Sequence, residues 1–406
     1  MIELYQHQKD VLTLLEPYNK CAMYLEAGTG KTFTSIAKAL TYDAPILVVC
    51  PKAVIPQWIR AFKDMGEEAK DWTKPKQFGT GDVAVITYGL AWRRDIKLKD
   101  FTLILDESHN ICNPTSKQTK GVMKLKYKNL ILLSGTPNGG RYDKLYTQMK
   151  MLGYKPTKRQ FEDRYCNMFD METGGVKFRV LSKTNPYKNV DELKCILTDE
   201  LHCVFMKTND VISLPEQHFI NIDIPVSTDY KKFLKDEYID LGDREYIADS
   251  PTNKLLYSRY LCGFENKNKL DVLTTLIEGI EDRLIIFYNF ENERSVLTNL
   301  CKKLKRRVFV CNGSVKQVDD FKRNEESILL VQYQAGATGL NLQFCNKVVY
   351  FSPTLSSTLY EQSKARTWRT GQKNKCTYWL LTCGVEYDIM KSLNQKNDFT
   401  LKLFKG

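Results

Sequence analysis

Two tandem α/β lobes, each a mostly parallel sheet flanked by helices, are the fold class the sequence predicts. Short apolar runs alternate with helical stretches, and this alternation occurs twice in separate parts of the chain. The runs are also continuously apolar. A half-exposed strand alternates apolar and polar residues, whereas a strand buried on both faces of a parallel sheet does not. Strand–helix alternation repeated in this way implies two such sheets. The 406 residues leave room for two or three domains, at about 150 residues each.

In the first lobe, strands are expected at Pro45–Cys50 (PILVVC), Val83–Thr87 (VAVIT), Phe101–Leu105 (FTLIL) and Leu130–Ser134 (LILLS). Lys31–Leu40 and Pro56–Met65 read as the helices between them. In the second lobe, strands are expected at Leu284–Tyr288 (LIIFY), Arg307–Cys311 (RVFVC), Ile328–Gln332 (ILLVQ) and Lys347–Phe351 (KVVYF). A helix over Asp271–Ile280 precedes them. The stretch 157–254 is more polar, with weaker strand signals. It reads as helices appended to the first lobe over about 157–215, followed by a crossover. The lobes are therefore expected to span 1–215 and 216–406, dividing near Leu214–Pro215.

Composition narrows the function classes. Lys and Arg number 60 against 48 Asp and Glu, a formal charge of +12, which favours a polyanionic partner, nucleic acid above all. No run of 18 or more apolar residues is present, and the first residues lack a basic-then-apolar signal pattern, so no membrane association is expected. The 12 Cys are scattered, with no C-x-x-C pair. That spacing disfavours a structural zinc site and suits reduced thiols in a cytoplasmic protein, the host cytoplasm if the chain is phage-encoded.

Two segments carry chemistry. Met23–Thr34 (MYLEAGTGKTFT) places Ala27, Gly28, Thr29 and Gly30 between an apolar strand and a helix. Glycines there let backbone N–H groups face phosphate oxygens; Lys31 can reach the β- and γ-phosphates and Thr32 can place its hydroxyl on Mg²⁺. The form met is A-x-x-G-K-T, with Leu25 where a longer pattern has its first Gly. A glycine-rich turn that only caps a helix is the competing reading. About 75 residues on, Leu103–Asn110 (LILDESHN) ends an apolar strand in adjacent carboxylates. Asp106 suits Mg²⁺, and Glu107 suits orienting or deprotonating an attacking water.

With these residues in place, nearly the whole chain resembles the superfamily-two helicases and translocases, most closely their Swi/Snf-like branch. That resemblance implies RecA-like lobes with an ATP site in the cleft between them. Asp106–His109 (DESH) is similar to the DEAH box. Leu133–Pro137 (LSGTP) looks like the third motif, so that His109, Ser134, Gly135 and Thr136 would couple nucleotide to nucleic acid. Leu4–Gln8 (LYQHQ) resembles the glutamine motif, with Gln8 on adenine. Cys50–Trp58 (CPKAVIPQW) and Ile86–Tyr88 (ITY) resemble phosphate-holding segments, implicating Lys52, Thr87 and Tyr88. In the second lobe Ile285–Phe290 resembles the fourth motif and Gln334–Leu342 (QAGATGLNL) the fifth. Gly339 would then lie near ATP, and Thr338, Asn341 and the loop residue Gly313 would lie near nucleic acid. Glu361–Gln372 (EQSKARTWRTGQ) looks like the sixth motif, implying that Gln362 binds ATP and that Arg366 and Arg369 act as fingers on the γ-phosphate. Their i, i+3 spacing suits one helix face. The ending Arg369-Thr370-Gly371-Gln372 favours the Swi/Snf-like branch, and Gly384–Ile389 (GVEYDI) resembles the helix start that follows it.

There are departures. Ala365 stands where the sixth motif usually has Gly. Leu355–Thr358 lacks the expected tryptophan, and Met206–Asn209 (MKTN) lacks paired arginines. These favour a compact translocase of bacterial or viral type over a nucleosome remodeller. The expected activity is a nucleic-acid-stimulated ATPase that uses ATP and Mg²⁺ to move along or unwind DNA without sequence specificity, since backbone contacts carry no sequence information. Duplex or forked DNA is the expected partner; such contacts discriminate poorly against RNA. Replication, recombination or nuclease proteins are further candidate partners. The alternatives are an ATP-gated DNA-binding loader or remodelling factor that recruits a partner without strand separation, and a small-molecule P-loop kinase. Trp58, Trp92, Trp368 and Trp379 are read as core residues rather than base-stacking platforms, and His202 and His218 as structural.

Overall fold

The computed structural model describes residues 3–404, apart from 27, 139, 140, 183, 212 and 337–339. Two compact units divide the chain, one comprising Met1–Ser213 together with Asn397–Gly406 and the other running Leu214–Lys396.

Among the described residues the first unit holds β1 (Lys20–Leu25), β2 (Ile46–Cys50), β3 (Ala69–Asp71), β4 (Val83–Thr87), β5 (Lys99–Asp106) and β6 (Lys126–Leu133), then β7 (Met168–Thr173), β8 (Val176–Leu181) and β9 (Cys203–Met206). All but β7 and β8 form one sheet in the order β3-β4-β2-β5-β6-β1-β9, with every pairing parallel. The continuous apolar runs follow from two-sided burial. Leu47 and Val49 of β2 pack into one core with Leu103 and Leu105 of β5, while Ile46 and Val48 pack into the opposite core with Ile104. A parallel sheet gathers its strand carboxyl ends along one edge, where ligands bind in open α/β sheets. Leu25, Cys50, Thr87, Asp106 and Leu133 end their strands there.

The appended region differs from the expectation of helices alone. Helices Lys158–Tyr165 and Val190–Cys195 are present, but β7 and β8 form an antiparallel hairpin between them. Gly174 and Gly175 have φ of +59° and +76° and make its two-residue turn, the conformation that a tight hairpin requires. Its strands alternate Phe169 and Met171 with Asp170 and Glu172, a period-two signal masked by the polar composition of the stretch. β9 returns to pair with β1 from Ala22↔Cys203 to Leu25↔Met206.

The second unit holds β10 (Gln217–Asp223), a small hairpin of β11 (Tyr238–Asp240) and β12 (Glu245–Ile247), then β13 (Leu284–Tyr288), β14 (Arg307–Cys311), β15 (Ser327–Gln332), β16 (Lys347–Tyr350) and β17 (Cys376–Thr382). Its main sheet runs β10-β17-β16-β13-β15-β14, again with every described pairing parallel. Leu284, Ile286 and Tyr288 face one core, and Ile285 and Phe287 the other. β10 is a half-exposed edge strand and was not among the expected strands; neither was β17 beside it. Among the described residues no helix is long and apolar enough to cross a membrane.

Candidate functional site

In the first unit the phosphate-loop segment leaves β1 and enters the helix Lys31–Leu40. Gly28 and Gly30 have φ of +92° and +82°, backbone positions that favour glycine. Gly30 also has no room for a side chain, because a Cβ there would sit 2.0 Å from Gln8 Nε2. Gln8 is buried, its Oε1 accepting from Tyr5 N at 2.8 Å and its Nε2 donating to Gly30 O at 3.2 Å. His7 Nε2 lies 3.0 Å from Thr29 O. The ammonium of Lys31 donates to Leu25 O and Glu26 O at 2.6 and 3.0 Å, so it lies over the loop. Glu26 is held in turn from the segment just after β9, its carboxylate accepting from Thr208 N at 2.9 Å. Thr208 lies in the MKTN segment that departs from the family pattern.

Asp106 ends β5. Its Oδ2 accepts from Trp58 Nε1 at 2.8 Å, and its carbonyl accepts from the Tyr88 hydroxyl at 2.9 Å. Burial, and then the neighbouring Glu107 carboxylate, push the Asp106 carboxyl up to about 6, against the opposing pull of the Trp58 bond and Lys31. Glu107 has φ +53°, a left-handed position that a non-glycine residue holds only when its surroundings enforce it. His109 Nδ1 lies 3.2 Å from Ser134 Oγ and 3.3 Å from Glu107 Oε2. Ser134 Oγ also accepts from Thr136 N at 3.1 Å. Glu107, His109, Ser134 and Thr136 thus form one connected chain, with Gly135 inside it.

Thr32 and Asp106 offer a hydroxyl and a carboxylate. All-oxygen donors suit a hard divalent cation such as Mg²⁺, which usually keeps several waters and takes only one or two carboxylates. A cation beside Asp106 also offsets the repulsion from Glu107. The residues present therefore fit that ion.

The nucleic-acid candidates of this unit divide. Lys52 is exposed, in a short turn directly after β2. The Thr87 hydroxyl accepts from Leu90 N at 3.3 Å and caps the short helix that follows. Tyr88 corrects the expectation: its ring is buried and its hydroxyl is spent on Asp106 O. It therefore supports the carboxylate strand rather than offering its side chain to a nucleic acid.

In the second unit the helix Ser357–Thr367 carries Gln362 and Arg366, both half-buried. Arg369 does not share a helix face with Arg366. The helix ends at Thr367, and Trp368 leaves helical geometry with ψ 87° as its indole N–H reaches Pro215 O at 2.7 Å. Arg369 instead donates to Asn341 Oδ1 at 2.6 Å, and burial lowers the pKa of its guanidinium. Arg366 O accepts from Leu342 N at 3.1 Å. The fifth and sixth segments are therefore joined through Asn341–Arg369 and Leu342–Arg366. Gln372 closes the loop into β17, its Nε2 donating to Cys345 O and Thr367 O. Gly313 is exposed in a loop after β14, beside Asn312, whose Oδ1 accepts from Ser314 N and Val315 N. Ala27, Thr338 and Gly339 lie outside the described residues.

Sequence reasoning missed two supporting residues. Trp58 was read only as core. It is core, but a buried indole N–H needs an acceptor, and here that acceptor is Asp106. Gln148, in the helix Tyr146–Leu152, lies outside every recognised segment. A glutamine in a segment that also carries Met149, Met151 and Leu152 was its one signal, and its burial shows only in the structure.

Comparison with known proteins matches the SNF2-related domain over residues 6–262 and the Helicase conserved C-terminal domain over residues 268–371. YwqA of Bacillus subtilis is 25% identical over 405 residues, covering 86% of this chain and 42% of YwqA. A DNA repair and recombination protein RAD54-like of Drosophila willistoni is 23% identical, covering 94% of this chain and 60% of that protein. Human DNA excision repair protein ERCC-6 is 24% identical, covering 88% and 29%. The chain thus spans less than two thirds of the length of each of these relatives. Among solved structures, the Sulfolobus solfataricus SWI2/SNF2 ATPase core in complex with dsDNA is 19% identical with a TM-score of 0.46, covering 99% of this chain and 93% of that one.

Proposed function

Because the chain belongs to the SNF2-related family, we propose that it is an ATP-dependent DNA translocase, hydrolysing ATP with Mg²⁺ to move along DNA without sequence specificity. The observation that carries this reading is the chain Glu107–His109–Ser134–Thr136, which ties the hydrolytic carboxylate to the segment after β6. In the proposed reaction the loop N–H groups and Lys31 hold the phosphates, and Gln8 serves the adenine. Mg²⁺, when bound at Thr32 and Asp106, neutralises developing charge on the phosphate oxygens. Glu107 accepts a proton from the attacking water, within reach of the His109 ring. Arg366 and Arg369 stabilise the γ-phosphate charge, a role worth about 10³–10⁵ in rate, and Asn341 holds Arg369 ready for it. Lys52, Thr87, Gly313, Thr338 and Asn341 are assigned to the nucleic-acid backbone. Names among the relatives point the same way, towards DNA repair and recombination.

The test is steady-state ATP hydrolysis with no nucleic acid, single-stranded DNA, duplex DNA, forked DNA and RNA. The expected result is stimulation by duplex DNA, weakening steeply with salt as counterion release drives phosphate contacts. Stimulation only by single strands or forks turns the assignment towards strand separation. Tight ATP-dependent DNA binding with slow turnover and no movement favours a loader. Basal turnover with no response to any nucleic acid overturns the proposed partner.

A further inference from the structure

One buried amide joins three of the segments described above. Gln148 is fully buried on the helix Tyr146–Leu152. Its Oε1 accepts from Ser108 Oγ at 2.6 Å and from the Tyr24 hydroxyl at 3.1 Å, and its Nε2 donates to Pro137 O at 2.6 Å. Each partner sits next to chemistry. Tyr24 precedes Leu25, whose carbonyl takes the Lys31 ammonium. Ser108 follows Glu107, held at φ +53°. Pro137 follows Ser134–Thr136, the segment that His109 touches. Beyond Glu107 the carboxylate turn is therefore gripped at both of its next residues: through half-buried His109 to Ser134, and through buried Ser108 to Gln148. In the interior the second grip acts at low dielectric, where hydrogen bonds are stronger and unpaired groups costlier.

Glutamine suits this place for a chemical reason. The site needs an acceptor for two hydroxyls and a donor for a carbonyl, and a primary amide supplies both. Glutamate would turn an oxygen against Pro137 O, asparagine is one methylene short, and methionine leaves three polar groups buried without a partner.

We propose that Gln148 is a positioning residue for ATP hydrolysis: it fixes the turn that aims Glu107 and makes that turn move as one body with the segment after β6. This rests on the ATPase reading. The test uses the full chain carrying Gln148→Met, Ser108→Ala and both together. Nucleotide affinity is read with a fluorescent ATP analogue, and kcat with saturating duplex DNA at 10 °C, where circular dichroism confirms a native fold. Gln148→Met is expected to keep affinity within about twofold and to lower kcat about tenfold or more, the scale on which misplaced catalytic groups lose rate. The double variant is expected to be no worse than about twofold below Gln148→Met, because both changes cut one network. A folded Gln148→Met with kcat within twofold of the parent, or losses that multiply in the double variant, overturns the proposal. Should Gln148→Met not fold, Ser108→Ala decides alone, since it leaves the other two bonds of Gln148 intact. A kcat loss of at least about threefold at unchanged affinity supports the role, and an unchanged kcat overturns it. No ATP turnover by the parent chain overturns both readings; turnover that is indifferent to these variants overturns this one alone.

Discussion

Replacing Lys269 by methionine should destabilise the second unit more at alkaline than at mildly acidic pH. Lys269 Nζ lies 2.6 Å from Glu386 Oε2, with side-chain exposures of 0% and 1%. Cys383 N donates to the same carboxylate oxygen at 3.1 Å, and the Phe351 ring lies 5.1 Å from the ammonium. Burial dominates, and it pushes the Glu386 carboxyl from an ordinary 4.5 up to about 8 although Lys269 pulls it down. A carboxyl raised in the folded state holds a proton that the unfolded chain has already lost. Stability from this group is therefore complete below about 4.5 and is lost as pH rises through about 8, by at most about 1.4 kcal/mol per unit. Removing Lys269 takes away the ammonium paired directly with Glu386. At pH 6 the carboxyl is mostly protonated and the loss is modest; at pH 9, one unit above about 8, it should be larger by up to about 1.4 kcal/mol, because the variant keeps the proton that the parent gives up. Lys269→Met/Glu386→Met should recover most of it, and Glu386→Gln should flatten the pH response. Equilibrium urea unfolding at pH 6 and pH 9 reads all four proteins. A Lys269→Met cost below about 1 kcal/mol at both pH values, or the same cost at both, would refute the reasoning.

Three further outcomes are expected in the first unit. Gly30→Ala forces a Cβ to 2.0 Å from Gln8 Nε2 at a φ of +82°; it should cost about 1–2 kcal/mol in backbone strain and weaken ATP binding, so a nucleotide titration indistinguishable from the parent's sinks the proposed link between Gln8 and the loop. Glu107→Gln should bind ATP normally while losing about 10²–10⁴ in turnover, the range for a general base; loss of binding instead places Glu107 elsewhere in the reaction. Trp58→Phe removes a donor that lowers the Asp106 pKa, so the acid side of the pH–rate profile should move to higher pH. It should also cost about 1.5–3 kcal/mol in urea unfolding, the range for a bond to a charged group; an unmoved profile contradicts the assigned bond.

Local sequence carried the parts of this molecule that local interactions decide. β4, β13 and β14 span the expected residues, as does the helix Lys31–Leu40, because a buried run bounded by turn residues has few other conformations. The loop between β1 and the helix Lys31–Leu40 and the DESH turn after β5 were legible as local conformations for the same reason, since each sits within a few consecutive residues. The β7–β8 hairpin was legible in principle but hidden by its polar composition, and β10 was masked by its half-exposed edge position.

What only the tertiary structure decided are the contacts between distant residues. Trp58 reaches Asp106 across 48 residues and Gln148 reaches Ser108 across 40. Both depend on the order β3-β4-β2-β5-β6-β1-β9, which brings the ends of β1, β2, β5 and β6 to one edge. The same order turns Tyr88 inward onto Asp106 rather than outward to a ligand. Arg369 is the complementary case: its spacing from Arg366 is helical, but Trp368 reaches Pro215 and ends the helix first. Residue type and spacing determine which local conformations are cheap. Which side chains then meet depends on strand order and on where a buried donor finds its acceptor, and neither is written in neighbouring residues.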